Sequence, residues 1–161
     1  MDNDIIKVKI ADLAVKREPG IIVTIGLGSC VGIALYDPVN RIGGLAHILL
    51  SDSAQFRGRG TSINKAKFAD TAIPFMAREM ERIGARRQHF LAKIAGGSKL
   101  FPNNNISVGE KNVEAVIRTL KEMGIAIRGQ DVGGNYGRTM RLFVDSGKVL
   151  ISTVGKGEKE L

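Results

Sequence analysis

Three short apolar runs between residues 20 and 50 constrain the fold more than any other feature of the chain. They read GIIVTI, VGIALY and IGGLAHILL, and they are separated by GLGS and by DPVN. Short runs rich in β-branched and aromatic residues predict strands, and a glycine-rich segment between them does not continue a helix. DPVN predicts a tight turn, because proline presets φ and because Asp37 and Asn40 can form local hydrogen bonds. We therefore expect the second and third runs to form a β-hairpin.

The rest of the chain adds further strand-like runs and two substantial helical segments. Apolar residues at helical spacing follow Asn64, a candidate helix cap, and Pro74 inside that segment should kink or break the helix. A second helix is predicted after Ser107, because Ser107 and Glu110 fit a capping box. Strand-like runs lie at the N-terminus up to KREPG, at HFLAKIAG and IAIRGQDV, and in TMRLFV and KVLISTV, which DSG joins. Together these elements predict an α+β fold, with helices layered on mixed or antiparallel sheet.

Length and composition indicate a single globular domain over residues 1–161, with a frayed tail from about 155 to 161. The chain is 43% hydrophobic, which is enough to form a core. A lone cysteine forms no internal disulfide, and no apolar run reaches the length that spans a membrane. We therefore expect a cytoplasmic protein without direct membrane insertion.

Charge and motif spacing narrow the possible ligands. The net charge of +8 favours acidic partners, but aromatic residues make up only 5% of the chain and tryptophan is absent, so we expect no nucleic-acid partner. GLGSCVG lacks the GxGxxG spacing and AGGSK lacks the phosphate-loop pattern, which disfavours a nucleotide cofactor. Two histidines and one cysteine lie at no zinc-binding spacing. We expect neither a metal nor another cofactor.

Cys30 and His47 lie on the two arms of the predicted hairpin. If Pro38 and Val39 are the two turn residues, Cys30 falls opposite His47, with Cβ atoms about 4.5 to 5.5 Å apart. Thiol and imidazole would then form a nucleophile and base pair. Two alternatives stand beside this hypothesis. A lone cysteine in an apolar run is most often a small core residue, and a bulge at residues 43–44 would turn His47 to the other face of the sheet.

Two other side chains bear on the role of His47. Thr24 could orient the imidazole through its hydroxyl or its carbonyl, as Asp or Asn does in other catalytic triads. His89 is the competing base, but it lies at the start of a basic strand, where a surface role is favoured. We therefore favour His47 as the base.

The glycines before the cysteine suggest how a reaction intermediate would be stabilised. Gly26 and Gly28 allow the backbone to open toward a substrate. Backbone N–H groups near Ser29 and Cys30 can then point at an oxyanion. Gly28 and Ser29 are therefore candidate oxyanion or substrate-binding residues.

Six motifs distributed over nearly the whole chain resemble one known family. In order, they are GLGSCVG, GGLAHILL, KFADTAIPFM, KIAGGSKLF, VGEKNVE and DVGGNYGR. In these motifs the chain is similar to the chemoreceptor glutamine deamidase family, CheD, of bacterial and archaeal chemotaxis. The resemblance implies that Cys30 and His47 are catalytic and that Thr24 completes the triad. It also implies a three-layer α/β/β fold related to the deamidating domain of cytotoxic necrotising factor.

The same resemblance implies a function. The protein would be a cysteine amidohydrolase, a protein-glutamine glutaminase that converts specific glutamines on the cytoplasmic helices of chemoreceptors to glutamate. Ammonia would leave and a cysteine thioester would form on the way. The resemblance also implies binding to CheC, the phosphatase of phosphorylated CheY, so a module that regulates CheC is the alternative function. Transglutamination is a third, because it shares the thioester and differs only in whether an amine or water attacks it.

DVGGNYGR leaves two interpretations open. Its glycines could form a tight turn near the substrate or a structural crossing. Gly134 is therefore a further candidate substrate-binding residue. Arg138 could meet the acidic surroundings of the modified glutamines, or it could tie down its own loop.

Overall fold

The chain folds into three layers, in which two helices cover one face of a central sheet and a second sheet covers the other. This computed structural model describes residues 4–56, 62–100 and 107–161. Within these residues the strands are β1 (Ile5–Val8), β2 (Asp12–Arg17), β3 (Ile21–Leu27), β4 (Val31–Asp37), β5 (Ile42–Ile48), β6 (Leu91–Gly96), β7 (Ala126–Val132), β8 (Arg138–Phe143), β9 (Lys148–Thr153) and β10 (Gly157–Glu160). The helices are α1 (Ala69–Arg82) and α2 (Val108–Glu122).

Each sheet has five strands and is mixed. The central sheet has the order β2-β5-β4-β6-β7, and the outer sheet has the order β1-β3-β8-β9-β10. One pair in each sheet is parallel, β6 with β7 and β1 with β3, and the other pairs are antiparallel. The predicted α+β fold is therefore confirmed.

Apolar side chains fill the space on both faces of the central sheet. On the helix side, Ile33 and Ile48 of the sheet pack with Ile73 of α1. On the other side, Leu45 packs with residues of the outer sheet such as Leu142. β4 and β5 are buried along their whole length, which is why their sequences are nearly continuous apolar runs rather than alternating ones.

The predicted hairpin is present as β4 and β5, but its register differs from the expected one. Asp37 pairs with Ile42, so residues 38 to 41 form the turn, and Gly32 rather than Cys30 lies opposite His47. The prediction of a two-residue turn is wrong because the Asp37 carboxylate accepts hydrogen bonds from backbone N–H groups at the second and third positions after it and holds a longer turn. A shift of two residues preserves the face of the sheet, so Cys30 and His47 remain on the same side.

Two expectations near the chain's first half need correction. The N-terminal run is not one strand, because Ala11, with φ of 60°, reverses the chain between β1 and β2, which join different sheets. Asn64 does not cap α1. Its side chain accepts a hydrogen bond from the Ala66 N–H and caps a short 3-10 turn, after which α1 begins and runs through Pro74 without a break.

The second helix matches its prediction. The Glu110 N–H donates to Ser107 Oγ over 3.1 Å and the Ser107 N–H donates to Glu110 Oε1 over 3.4 Å, which completes the capping box. Gly124, at φ of 73°, follows the end of α2. Neither helix in the described part of the chain is long and apolar enough to cross a membrane.

The predicted frayed C-terminal tail is wrong. Gly157–Glu160 pairs with β9 as an edge strand. The Leu161 N–H donates to the Val149 carbonyl over 3.0 Å, and Lys93 Nζ donates to the Leu161 carbonyl over 2.9 Å. Both faces of this strand are exposed, so its sequence carries no alternation of apolar and polar residues that would mark it.

Candidate active site

Three glycine-bearing segments meet around Cys30. The Gly97 N–H donates to the Cys30 carbonyl, and the Ser98 N–H donates to the Gly28 carbonyl, each over 2.8 Å. The approach is so close that a Cβ atom on Gly96 would lie 2.3 Å from the Cys30 carbonyl oxygen. The GLGSCVG and AGGSK motifs are therefore adjacent in space, and their glycines permit the backbones to touch.

The third segment is the loop of DVGGNYGR, which packs on the far side of AGGSK. The Gly133 N–H donates to the Gly96 carbonyl, and the Gly134 carbonyl accepts from the Lys99 N–H, each over 2.9 Å. Gly134 has φ of 76°, and a Cβ atom there would lie 2.7 Å from the Tyr136 ring. Glycine is thus required at this position by conformation and by space.

Arg138 lies beneath this loop rather than on its surface. It is 2% exposed, its Nη1 donates to Ser98 Oγ over 2.9 Å, and its Nη2 lies 3.4 Å from Asp131 Oδ1. Ser98 Oγ in turn donates to the carbonyl of Tyr136 over 2.6 Å, and the guanidinium stacks on the Tyr136 ring with its centre 4.4 Å from the ring centroid. Two roles are expected for Arg138, and these contacts agree with the one in which it ties down its own loop.

His47 is fully buried near the end of β5, on the face that points toward the outer sheet. Its Nδ1 lies 2.7 Å from Thr24 Oγ1 of β3, and Thr24 Oγ1 also lies 2.7 Å from the Val8 carbonyl of β1. A carbonyl only accepts, so the single hydroxyl proton of Thr24 goes to Val8. The hydroxyl therefore accepts from Nδ1–H, and this network assigns the His47 proton to Nδ1.

The other imidazole nitrogen is left open by this arrangement. Nε2 of His47 is buried and has no hydrogen-bond partner among the described residues. Burial lowers the pKa of His47 from 6.5 to about 4, so the ring is neutral at neutral pH. Nε2 then carries a free lone pair, which is the state that a general base requires.

Cys30 lies immediately before β4, on the same face of the central sheet as His47. It is 6% exposed, and burial raises the pKa of its thiol, while its own backbone N–H acts in the opposite direction. Gly32, two positions further on, pairs with His47, so Cys30 and His47 are diagonal neighbours across the strand pair. In a regular strand pair such neighbours lie about 7–8 Å apart between Cα atoms.

The backbone around Cys30 is held on one side and free on the other. The carbonyls of Gly28, Ser29 and Cys30 each accept a hydrogen bond, from Ser98, from the Asn112 side chain and from Gly97. Within the described residues, the N–H groups of Ser29 and Cys30 donate to no other residue, and the Cys30 N–H acts on the sulfur of its own side chain. These are the two donors that the sequence suggests for an oxyanion.

Asn112 is a site residue that sequence reasoning missed. It is fully buried on α2, and its Nδ2 donates to the Ser29 carbonyl over 2.9 Å and to the Leu49 carbonyl over 3.0 Å. The only signal for it was its place in the VGEKNVE motif, because one asparagine in a helix otherwise indicates a polar surface position.

His89, the competing base, lies far from this constellation along the fold. Its Nδ1 is 3.5 Å from the buried Asp37 carboxylate at the hairpin turn. Within the described residues, no three side chains of the types that bind metals lie together. The structure thus brings Thr24 and His47 into contact, with Cys30 on the same face.

Comparisons with known proteins give a consistent result. The family model described as CheD chemotactic sensory transduction matches residues 49–153, more than half of the chain. A protein of Clostridium botulinum strain Hall, named probable chemoreceptor glutamine deamidase CheD, is 49% identical over 100% of both chains. A protein of Moorella thermoacetica with the same name is 49% identical over 94% of this chain and 92% of its own.

The chain also aligns with a solved structure. That structure is the C-terminal domain of CNFy from Yersinia pseudotuberculosis, with 15% sequence identity and a TM-score of 0.44. The alignment covers 98% of this chain and 62% of that one, so the chain spans less than two thirds of the length of the solved structure.

Proposed function

Since the chain belongs to the CheD family, we propose that it is a protein-glutamine deamidase that hydrolyses glutamine side chains on the cytoplasmic helices of chemoreceptors. The observation that carries this proposal is the hydrogen-bonded series Val8, Thr24 and His47, which leaves a buried basic nitrogen on the face of Cys30. We place the protein in the cytoplasm, where those helices lie, and treat residues 1–161 as one deamidase domain that needs no cofactor.

The first chemical step is attack by the thiol. In the resting site both partners are neutral, because burial raises the pKa of Cys30 and lowers that of His47 to about 4. His47 Nε2 takes the thiol proton as the sulfur bonds to the amide carbon of the glutamine side chain. The π electrons of the carbonyl move onto its oxygen, and a tetrahedral oxyanion forms.

The N–H groups of Ser29 and Cys30 stabilise this oxyanion. Each lies in a backbone segment whose carbonyls are already bonded on the opposite side, so no reorganisation is needed when the charge develops. A donor of this kind typically contributes about 3 to 4 kcal/mol to transition-state stabilisation.

Collapse of the intermediate and hydrolysis complete the reaction. The imidazolium gives its proton to the amide nitrogen, the C–N bond breaks, and ammonia leaves a thioester on Cys30. Water, deprotonated by Nε2, then attacks the thioester carbon, the C–S bond breaks, and the thiol regains its proton. A neutral amide is thereby replaced by an ionised carboxylate.

Thr24 orients the imidazole throughout this sequence. Its hydroxyl accepts from Nδ1–H, so Nε2 is left in the tautomer that can accept the thiol proton. A hydroxyl is neutral and stabilises an imidazolium less than a carboxylate does, and we therefore expect modest turnover.

An exposed part of the outer sheet suits a protein substrate. Ile25 is 62% exposed, and it lines a cavity of about 300 Å³ with Tyr136 and Val154. Lys156 lies over the Tyr136 ring at 4.8 Å and adds positive charge there. Apolar contacts beside a cation fit a helix that carries apolar and acidic residues, and they support a protein rather than a small-molecule substrate.

Mass spectrometry of a purified receptor cytoplasmic fragment tests the proposal directly. After incubation with the wild-type protein we expect glutamine-to-glutamate changes at discrete positions, and we expect none with Cys30→Ala. His47→Ala should also be inactive, whereas His89→Ala, the matched control at the other histidine, should retain activity.

The same samples also test the alternative functions. An unmodified receptor together with equal CheC binding by wild type and Cys30→Ala would contradict the deamidase and support the CheC-regulating module. Added amine that appears in the receptor in place of the carboxylate would identify transglutamination.

A further inference from the structure

We propose that Asn112 is a positioning residue that aims the Cys30 backbone N–H at the oxyanion by holding the Ser29 carbonyl. This inference rests on the proposed acyl-transfer chemistry at Cys30. It assigns to α2, a helix on the opposite face of the central sheet from the Cys30 side chain, a specific part in the reaction.

The geometry of the peptide bond carries the first step. In a trans peptide the C=O and N–H bonds point in nearly opposite directions. Asn112 Nδ2 holds the Ser29 carbonyl at 2.9 Å from the helix side. The N–H of Cys30 belongs to the same peptide unit, so it points away from α2 and toward the layer that contains its own sulfur.

The thiol itself responds to this orientation. The backbone N–H of Cys30 acts on the sulfur of the same residue in the direction that lowers the thiol pKa, against the larger effect of burial. A donor that faces the sulfur also faces the carbon that the sulfur attacks, and the oxygen of that carbon lies within its reach. Without Asn112, the Ser29–Cys30 peptide would be free to rotate and turn this N–H away.

Asn112 also ties the nucleophile to the strand of the base. Its second amide hydrogen goes to the Leu49 carbonyl at 3.0 Å, two residues after His47. One side chain thus spans the two backbone segments that carry Cys30 and His47. Both of its hydrogens are used by carbonyls, and its Oδ1 is buried without a partner among the described residues.

The position of Asn112 is itself fixed by close packing. A Cβ atom on Gly109 would lie 2.5 Å from the carbonyl oxygens of Gly97 and Ser98. The absence of a side chain at Gly109 lets the first turn of α2 touch the same segment that bonds to the Cys30 loop. A buried Oδ1 without a partner among the described residues is destabilising, so an amide at this position favours a functional role over a purely structural one.

Two chemical probes of Cys30 test this role without a receptor. Acetylation by p-nitrophenyl acetate passes through an oxyanion: the sulfur bonds to the acetyl carbon, p-nitrophenolate leaves, and the thiol proton goes to His47 Nε2. Alkylation by iodoacetamide passes through no oxyanion, because the sulfur displaces iodide directly. The ratio of the two rates, measured by intact mass, therefore cancels the thiolate fraction and reports the oxyanion donors.

For Asn112→Ala we expect the ratio to fall about 10- to 100-fold, with the alkylation rate within twofold of wild type. Thr119→Ala is the matched control, because Thr119 is also buried on α2 and its Oγ1 donates to the Ala115 carbonyl of the same helix over 2.7 Å. Its ratio should equal that of wild type. An unchanged ratio in Asn112→Ala, or an equal fall in Thr119→Ala, would overturn the proposal.

Asn112→Asp keeps the shape of the side chain and supplies a readout that a structural role would not move. Its ionised carboxylate repels the Ser29 carbonyl, whereas its protonated form can donate one hydrogen bond. Between pH 8 and pH 5 the ratio should rise as the pH falls in this variant and stay flat in wild type. A flat profile at the wild-type value would contradict the inference, and failure of the wild-type protein to deamidate a receptor would be seen separately, as failure of the proposed function.

Discussion

The two ends of the β4–β5 hairpin each bury a polar side chain, and they treat it in opposite ways. At the turn, the carboxylate of Asp37 accepts hydrogen bonds from the N–H groups of Val39, Asn40 and Arg86 and from the Asn40 amide. At the open end, His47 has one nitrogen bonded to Thr24, and the other has no partner among the residues that the structure describes. Both residues are 0% exposed.

The difference distinguishes a polar group that holds the fold from the one that we propose as the general base. Burial alone raises the pKa of Asp37, but its hydrogen bonds outweigh burial and lower it, so the charged form belongs to the folded state. For His47 burial acts without compensation and keeps the ring neutral. Buried polar atoms are nearly always satisfied, so one without a partner on the same face of the sheet as a cysteine is informative.

The largest difference between the two ends should appear in the deamidation rate. Cys30→Ser is the variant that tests the open end. Serine is close in shape but holds its proton far more tightly than cysteine, and His47 with a neutral orienting group does not compensate. We expect deamidation to fall about 10³-fold or more with little change in melting temperature. Single-turnover mass spectrometry on the receptor fragment measures this loss.

The turn-end control is Asp37→Asn, assayed well below its melting temperature. It should lose stability and keep a deamidation rate within about threefold of wild type, because Asp37 touches no reacting group. Activity of Cys30→Ser within tenfold of wild type would remove the distinction between the two ends.

For the free energy of unfolding, substitution at the turn end of the hairpin should have the larger effect. Asp37→Ala leaves several buried donors without an acceptor, and we expect the free energy of unfolding to fall by about 3 kcal/mol. His47→Gln removes a ring whose Nε2 is already unsatisfied, and its cost should stay within about 1 kcal/mol. Urea denaturation followed by circular dichroism gives both values. A larger loss for His47→Gln than for Asp37→Ala would show that His47 serves the fold.

The hairpin also shows what sequence reasoning can reach. Its existence follows from apolar runs and a turn motif, and the capping box of α2 follows from Ser107 and Glu110, because each depends on residues close in the chain. The register does not follow, because the Asp37 carboxylate selects a longer turn than proline alone suggests. The division of the N-terminal run depends on one left-handed residue, Ala11, and β10 carries no hydrophobic alternation.

The candidate site is predictable to a different extent. Cys30 and His47 stand out as rare residue types on neighbouring strands. The Thr24–His47 hydrogen bond joins two sheets, so no local sequence pattern predicts it. Only the resemblance to a known family strongly indicates a role for Thr24. Asn112 reaches Ser29 from a helix in another layer, which is a product of tertiary packing alone.

Acid should act on the two ends in separate pH windows. The pKa of His47 is about 4 in the folded protein and 6.5 without burial, so between these values the unfolded chain binds more protons than the folded one. The free energy of unfolding is therefore unaffected by this group above pH 6.5. It falls by about 3 kcal/mol as the pH falls from 6.5 toward 4. The pKa of Asp37 is lowered from 3.8, so the stability that its ionised carboxylate contributes is lost only under more acidic conditions.

Urea unfolding at a series of pH values measures this dependence, and His47→Gln is the control. The variant should lack the decline between pH 6.5 and 4 and keep the decline below it. The same slope in variant and wild type would mean that His47 does not titrate in this window. Deamidation should also persist to about pH 5, since the base remains neutral there.

The smallest expected effect tests what connects His47 to the outer sheet. Thr24→Val removes the hydroxyl that accepts from Nδ1–H and leaves the imidazole free to adopt the other tautomer or to rotate. We expect about a tenfold fall in kcat with KM within twofold, because the change affects the orientation of the base and not receptor binding. Thr24→Ser retains the hydroxyl and should recover most of the activity. Equal losses in the two variants would show that Thr24 acts through packing, and the open end of the hairpin would then hold its base by shape rather than by the hydrogen bond to β3.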